Sequence, residues 1–228
     1  MKDAGCTLDD CFLCRHCIPE WKELIGVRKK TEYIKKGKSI ITEGQAVQGI
    51  YFMYEGSAKV FKNWGDQKEL ILRFVRPGDV LGLRGFGGDT VYPISATATE
   101  DSRVCFIDNT FLETILLTNP SFTYQLMKVY AAELQNAEKK MSELVHRDVK
   151  GRIALALLEI ELIFGTNGEG YISVSLTRQD IASFAGTTYE TIFKFFNDLV
   201  DQKILATSGK SIKIIDRSRL GNFILPKP

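Results

Sequence analysis

The sequence predicts an α+β fold in three parts: an N-terminal antiparallel β-roll of the jelly-roll kind, one long helix, and a C-terminal winged helix-turn-helix. Three observations predict it. Between residues 30 and 108, short β-rich runs alternate with glycine turns, as they do in rolls and barrels. From Ser121 to about His146, apolar residues recur at alternating fours and threes, the seam of a single long helix. From Leu176 to Ile215, a capped helix, a glycine turn, a second helix and a hairpin follow in order. The expected divisions are a cysteine-rich segment 1–20, a roll 21–118, a long helix 119–147 and a winged domain 148–228.

The expected strands of the roll are Ile40–Thr42, Gly49–Tyr54, Ser57–Lys62, Glu69–Phe74, Ser95–Thr99 and Arg103–Asp108. Gly44, Gly56 and Gly78 stand in the turns between them. A short helix over 109–118 closes the roll, and Asn119-Pro120 breaks the chain before the long helix. That helix carries Tyr130, Leu134, Ala137, Met141 and Leu144, an uncharged stripe suited to pairing with a second copy of the chain. Because no charge interrupts this stripe, pairing is expected to be largely independent of any metal. A further helix runs over Asp148–Gly165, and Tyr171–Leu176 alternates like a strand.

In the last part, Thr177 is placed to cap a helix over Arg178–Ala185, and Gly186 supplies the turn. Thr187 or Thr188 then caps a second helix from Tyr189 to about Gln202, whose apolar face is Ile192, Phe195, Phe196 and Leu199. Ser208-Gly209-Lys210 turns a hairpin between Ile204–Thr207 and Ser211–Ile215. In such a layout the second helix enters the DNA major groove. Its exposed start holds Tyr189, Glu190, Phe193 and Lys194. A Glu can accept from a cytosine amino group and a Lys can donate to guanine. Arg178, Thr188, Lys210 and Ser211 suit phosphate oxygens.

TRQDIASFAG followed by ETI, Lys194 and the hairpin resembles the C-terminal domain of the CRP/FNR family of bacterial transcription regulators. The resemblance implies a homodimer that binds double-stranded DNA, with RNA polymerase as a partner. In that family an Arg usually stands where Lys194 stands here, and Lys lacks its bidentate fork. KKGKSIITEG, IYFMYEGSAKVF and VRPGDVLGL resemble the family's cyclic-nucleotide-binding-type sensor domain. The family's cAMP binders carry Gly-Glu-Leu and Arg-Ser-Ala at the pocket. This chain has Gly82-Leu83-Arg84 and Ile94-Ser95-Ala96. Losing a charge-assisted contact of ~1.5–3 kcal/mol costs roughly tenfold or more in affinity, so cAMP is not the expected effector.

Cys6, Cys11, Cys14 and Cys17 form C-x4-C-x2-C-x2-C, and Cys105 lies in a β-rich run. Thiolates so spaced suit an iron–sulfur cluster, with zinc as the competing occupant. Cys105 alone also reads as a small core residue. The family's cluster-binding branch, closest to this chain, uses three N-terminal cysteines followed by Ile-Pro and one cysteine on the roll. That resemblance implies Cys105 as the ligand on the roll and matches Cys17-Ile18-Pro19; Cys11, Cys14 and Cys17 are chosen as the closest and best-spaced three, leaving Cys6 spare.

Composition narrows the alternatives. No run approaches ~18 apolar residues, so no membrane span is expected. The polar, acidic N-terminus is unlike a secretion signal, so a cytoplasmic protein is expected. From Thr177 to Pro228 there are eight Lys and Arg against five Asp and Glu, more than the net charge of +2 for the whole chain. The two histidines, His16 and His146, belong to no catalytic motif, so an enzyme is not expected. The remaining alternative is a regulator of the same fold that answers to an unidentified small effector other than cAMP, its cysteines incidental or zinc-binding.

Overall fold

The structure is a computed structural model and describes residues 11–65, 68–86 and 90–224. Cys6 and Lys227, and Asp66 of the turn expected at Gly65-Asp66, lie outside the described residues. Two compact units are drawn from Met1–Asn63 with Arg73–Asn136, and from Trp64–Leu72 with Ala137–Pro228.

The first unit begins with two short helices, α1 (Phe12–His16) and α2 (Lys22–Arg28). Cys14 lies within α1, and Cys11 and Cys17 stand at its two ends. Cys11 caps α1 through its sulfur, which accepts from Cys14 N, and Leu13 and Cys14 face inward. The roll follows as β1 (Lys30–Ile34), β2 (Ser39–Ile41), β3 (Gly49–Glu55), β4 (Ala58–Asn63), β5 (Glu69–Val75), β6 (Val80–Leu81), β7 (Ser95–Ala98) and β8 (Ser102–Asp108). They form two four-stranded sheets, ordered β1-β8-β3-β6 and β2-β7-β4-β5. Every strand expected within the roll is present. β1 and β6 were not expected, because Lys30–Ile34 is mostly polar and Val80–Leu81 is too short to show a period.

Gly56, at φ +83°, turns β3 into β4 and has no room for a side chain, since a Cβ would lie 2.6 Å from Asp101 O. Helix α3 (Asn109–Thr118), capped by Asp108, closes the roll. Phe111, Leu112 and Ile115 join Phe52, Ile50, Ile107 and Phe122 in one core cluster. Each large side chain so buried contributes about 1.5–3 kcal/mol.

Helix α4 runs unbroken from Pro120 to His146, with proline confined to its first position. No helix among the described residues is long and apolar enough to cross a membrane.

The second unit contains α5 (Val149–Phe164), α6 (Arg178–Ala185), α7 (Tyr189–Asp201), the hairpin β9 (Leu205–Ser208) and β10 (Ser211–Ile214), and α8 (Arg217–Gly221). The strand expected over Tyr171–Leu176 is not formed. Ile172, Val174 and Leu176 do alternate inward, but Ile172 makes just an isolated bridge with Thr166 and a single bond from its N–H to Ile212 O, with no continuous ladder. The Asn167 side chain instead accepts from the N–H groups of Glu169 and Tyr171, holding a loop.

Candidate nucleic-acid interface and thiol cluster

The helix-turn-helix is built by caps that are written locally in the chain. Thr177 Oγ1 accepts from Asp180 N at 3.0 Å while the Asp180 carboxylate accepts from Thr177 N at 3.0 Å, a reciprocal capping box. Gly186 is left-handed at φ 63°, and a Cβ there would stand 2.7 Å from a Leu144 methyl. Arg152 on α5 completes the turn. Its guanidinium donates to Ala185 O at 3.1 Å and Gly186 O at 3.2 Å, pairing carbonyls that a helix end leaves unpaired. Thr188, not Thr187, caps α7, accepting from Thr191 N at 3.3 Å.

Helix α7 buries Ile192, Phe195, Phe196 and Leu199 and thereby turns the opposite face outward. Tyr189 and Phe193 are about half exposed and stack with ring centroids 6.3 Å apart. Glu190 and Lys194 are exposed on the same outer surface. A hydrogen bond from its own backbone N–H holds the Glu190 carboxyl below its usual range, helped by the Thr188 hydroxyl and the Lys194 charge. The carboxylate therefore stays ionised, an acceptor only. Beside it lies a groove of about 250 Å³ lined by Thr177, Arg178, Gln179, Tyr189, Gly209 and Lys210. Lys210 is exposed and Ser211 half-buried at the wing, so these two residues, Thr188, Tyr189, Glu190, Phe193 and Lys194 share an accessible surface. Arg178 is held differently. Its guanidinium sits 4.6 Å over the Phe196 ring with one Nη buried, so it packs the two helices as well as bordering the groove.

Behind that surface, Lys140 is an interior lysine of the same unit. Its ammonium lies 3.5 Å over the Phe184 ring and donates to Ile71 O at 3.1 Å. Burial pulls its pKa down to about 8, against the opposing pull of Glu159 and Glu143.

In the first unit, Cys11, Cys14, Cys17 and Cys105 are all buried and belong to the same core cluster. Strand pairing carries Cys105 there, opposite Thr31 on β1 and Phe52 on β3. Cys11 is the hub. Hydrogen bonds from Cys105 first and Cys14 second hold its thiol far below the ordinary range, against desolvation, and the Lys29 charge adds to this. Cys17 moves oppositely, pushed up to about 12 by burial and by the charge on Cys11. Among the described residues, no group of three or more His, Cys, Asp or Glu side chains is gathered as a cage for a single metal ion. The donor set itself fits an iron–sulfur cluster: four buried thiols, with no imidazole or carboxylate among them.

The cavity of the roll that Leu83 and Ile94 line is small, about 30 Å³. These are the positions where the nucleotide-binding pattern carries Glu and Arg.

Residues 31–119 match the cyclic nucleotide-binding domain family and residues 151–223 match the Crp-like helix-turn-helix domain family. The chain is 27% identical over 219 residues to the transcriptional activator protein Anr of Pseudomonas protegens, covering 92% of this chain and 89% of that one. It is 28% identical over 187 residues to a CRP-like cAMP-activated global transcriptional regulator of Mycobacterium tuberculosis, covering 81% and 84%. Among solved structures it superposes on FixK2 from Bradyrhizobium japonicum with a TM-score of 0.76 and 26% identity, over 88% of this chain and 99% of that one. The chain is a CRP/FNR-type transcription regulator.

A DNA-binding regulator of this type needs no catalytic group, and the helix-turn-helix supplies its function. On α4 of the regulator, Leu134 and Met141 are 62% and 64% exposed, and Ala137 between them is exposed too. Met127 extends the row by one heptad. The two ends of the expected stripe are engaged within their own units. The Tyr130 hydroxyl donates to Leu83 O at 2.7 Å, and Leu144 is half-buried against Gly186. Residues that sequence reasoning passed over include Arg152, Lys140 and Lys29. Each is one lysine or arginine among many, and only the folded chain shows that their charges are turned inward.

Proposed function

We propose that this CRP/FNR-type regulator binds double-stranded DNA as a homodimer, reads base edges with Glu190 and Lys194, and senses redox state through an iron–sulfur cluster. The observation that carries the DNA reading is α7 itself. It is capped by Thr188, packed on its apolar face and open on the face that bears the candidate readers. Tyr189 and Phe193 supply apolar contact, while Thr188, Arg178, Lys210 and Ser211 engage phosphate. The exposed row Leu134, Ala137 and Met141 forms the pairing seam, flanked by Tyr130 and Leu144. Two copies would present two α7 helices to half-sites about 34 Å apart. RNA polymerase is the partner at the promoter, and the cytoplasm is the compartment.

For sensing, Cys11, Cys14, Cys17 and Cys105 would hold the cluster, with Lys29 placing positive charge near them. When bound, such a cluster supplies a redox centre sensitive to its oxidation state. What supports this reading is the convergence of Cys105 with three cysteines from the N-terminal segment. Zinc is the competing occupant. The cavity lined by Leu83 and Ile94, about 30 Å³, speaks against cAMP at the place where the nucleotide-binding pattern would hold it.

Three measurements test the scheme. Selection of bound DNA fragments should return a two-fold symmetric site, and random recovery would refute sequence-specific reading. Anaerobic reconstitution should give broad visible absorption with iron and sulfide in equal amounts, whereas stoichiometric zinc alone refutes the cluster. Sedimentation of the metal-free protein should give a dimer, and a monomer would overturn a seam independent of the metal.

A further inference from the structure

The roll of this regulator carries positive charge where the nucleotide-binding pattern does not put it. The position expected to hold a phosphate-pairing arginine is Ile94, yet Arg73 and Arg84 border the same cavity. Both face one carboxylate from α4. Glu133 Oε1 lies 3.1 Å from Arg73 Nε, and Glu133 Oε2 lies 3.5 Å from Arg84 Nη2. Neither arginine is an incidental surface neighbour. Arg73 also donates through Nη2 to Val80 O at 2.6 Å, which fixes its fork. The three side chains are 23–33% exposed, so solvent screens this bridge only partly.

A second contact fixes the helix at the same place. Tyr130, three residues before Glu133 and on the same helix face, donates to Leu83 O at 2.7 Å. Within this unit, α4 therefore presents a carboxylate and a hydroxyl to the segment that follows β6. The apolar side chains of Ile41, Val60, Leu83 and Ile94 leave only about 30 Å³ behind them. That is room for a water molecule or two.

We propose that Arg73 and Arg84 form an oxyanion site whose resident ligand is the Glu133 carboxylate of the chain's own long helix. The chemistry is the one by which two guanidinium groups hold a phosphate or a free carboxylate. Here the anion is tethered, so α4 is fastened to the roll without a diffusible effector. Removing the Glu133 charge should leave two facing arginines with no counter-charge and make the site available to a small oxyanion.

The probe is inorganic phosphate, titrated at constant ionic strength into the full-length protein. Thermal unfolding and calorimetry are the readouts. The wild-type Tm should not respond to phosphate. Glu133→Ala and Glu133→Gln should each show a saturable rise in Tm, with phosphate affinity higher by about tenfold or more. Adding Arg84→Gln to either variant should abolish the response. Glu133→Gln keeps the side chain's shape, so it reads the site even if the alanine variant folds poorly. Phosphate stabilising the wild type as much as the variants would overturn the proposal. So would folded variants that ignore phosphate, or a response that survives the loss of Arg84.

Discussion

The reading helix and the thiol cluster solve opposite problems. Around α7 the candidate readers are exposed, and each is placed by neighbours within a few residues: Thr188 caps, Gly186 turns, Ile192 and Phe196 anchor. Around Cys11 the candidate cluster ligands are all buried, and the decisive one, Cys105, arrives by strand pairing from 94 positions away. The first arrangement is robust to what happens elsewhere in the chain. The second exists only when the roll has folded. A regulator built this way can couple a signal to the order of its roll while keeping its DNA-binding surface locally determined.

The sharpest way to break this comparison is at Cys105. Cys105→Ser should remove cluster assembly entirely, read as loss of visible absorption and bound iron, while circular dichroism stays unchanged. Assembly at wild-type yield would leave the N-terminal thiols acting alone. On the other side, Glu190→Ala and Lys194→Ala should each cost about 1–3 kcal/mol in specific affinity, roughly ten- to a hundredfold, with little change for random duplex. Equal losses on specific and random DNA in gel-shift titrations would make these residues phosphate contacts.

Lys140 offers a probe of comparable size that reads stability rather than binding. Its pKa in the folded chain, about 8, lies below the ~10.4 of an unfolded lysine, so the unfolded state binds the proton more tightly. Stability should therefore rise as pH increases from about 8 to 10.4, by roughly 3 kcal/mol. Lys140→Met should remove this rise, and urea titrations across that range would show it. A wild type and variant with parallel pH dependence would place the ammonium in solvent. The smallest effect is expected at Thr188→Ala, where loss of the α7 cap should cost about 1 kcal/mol, restored by Thr188→Asp. An unchanged urea midpoint would mean that α7 draws its start from packing alone.

These contrasts also explain what could be read in advance. The winged domain was legible almost residue by residue, because caps, the left-handed glycine and the hairpin turn are local codes. The roll's strands were legible from their turns, except Val80–Leu81, too short to show a period, and Lys30–Ile34, a polar strand that pairs with β8. Tyr171–Leu176 misled for the converse reason: its alternation reports inward and outward placement, not a ladder partner. The cysteines were visible as a pattern, but the helix they sit on was not, since five residues with a thiol cap carry almost no helical signal. Inward-turned charges such as Arg152 and Glu133 had no local mark at all.

Cys11 closes the matter of how the front of the chain is held. One sulfur atom both starts the first helix, at 3.4 Å from the Cys14 amide, and serves as the point on which neighbouring thiols converge. Chemistry and chain geometry therefore share a single pivot. Whatever displaces that atom tugs on the opening turn behind it, so the Cys14 amide proton becomes a natural reporter for events at the sulfur.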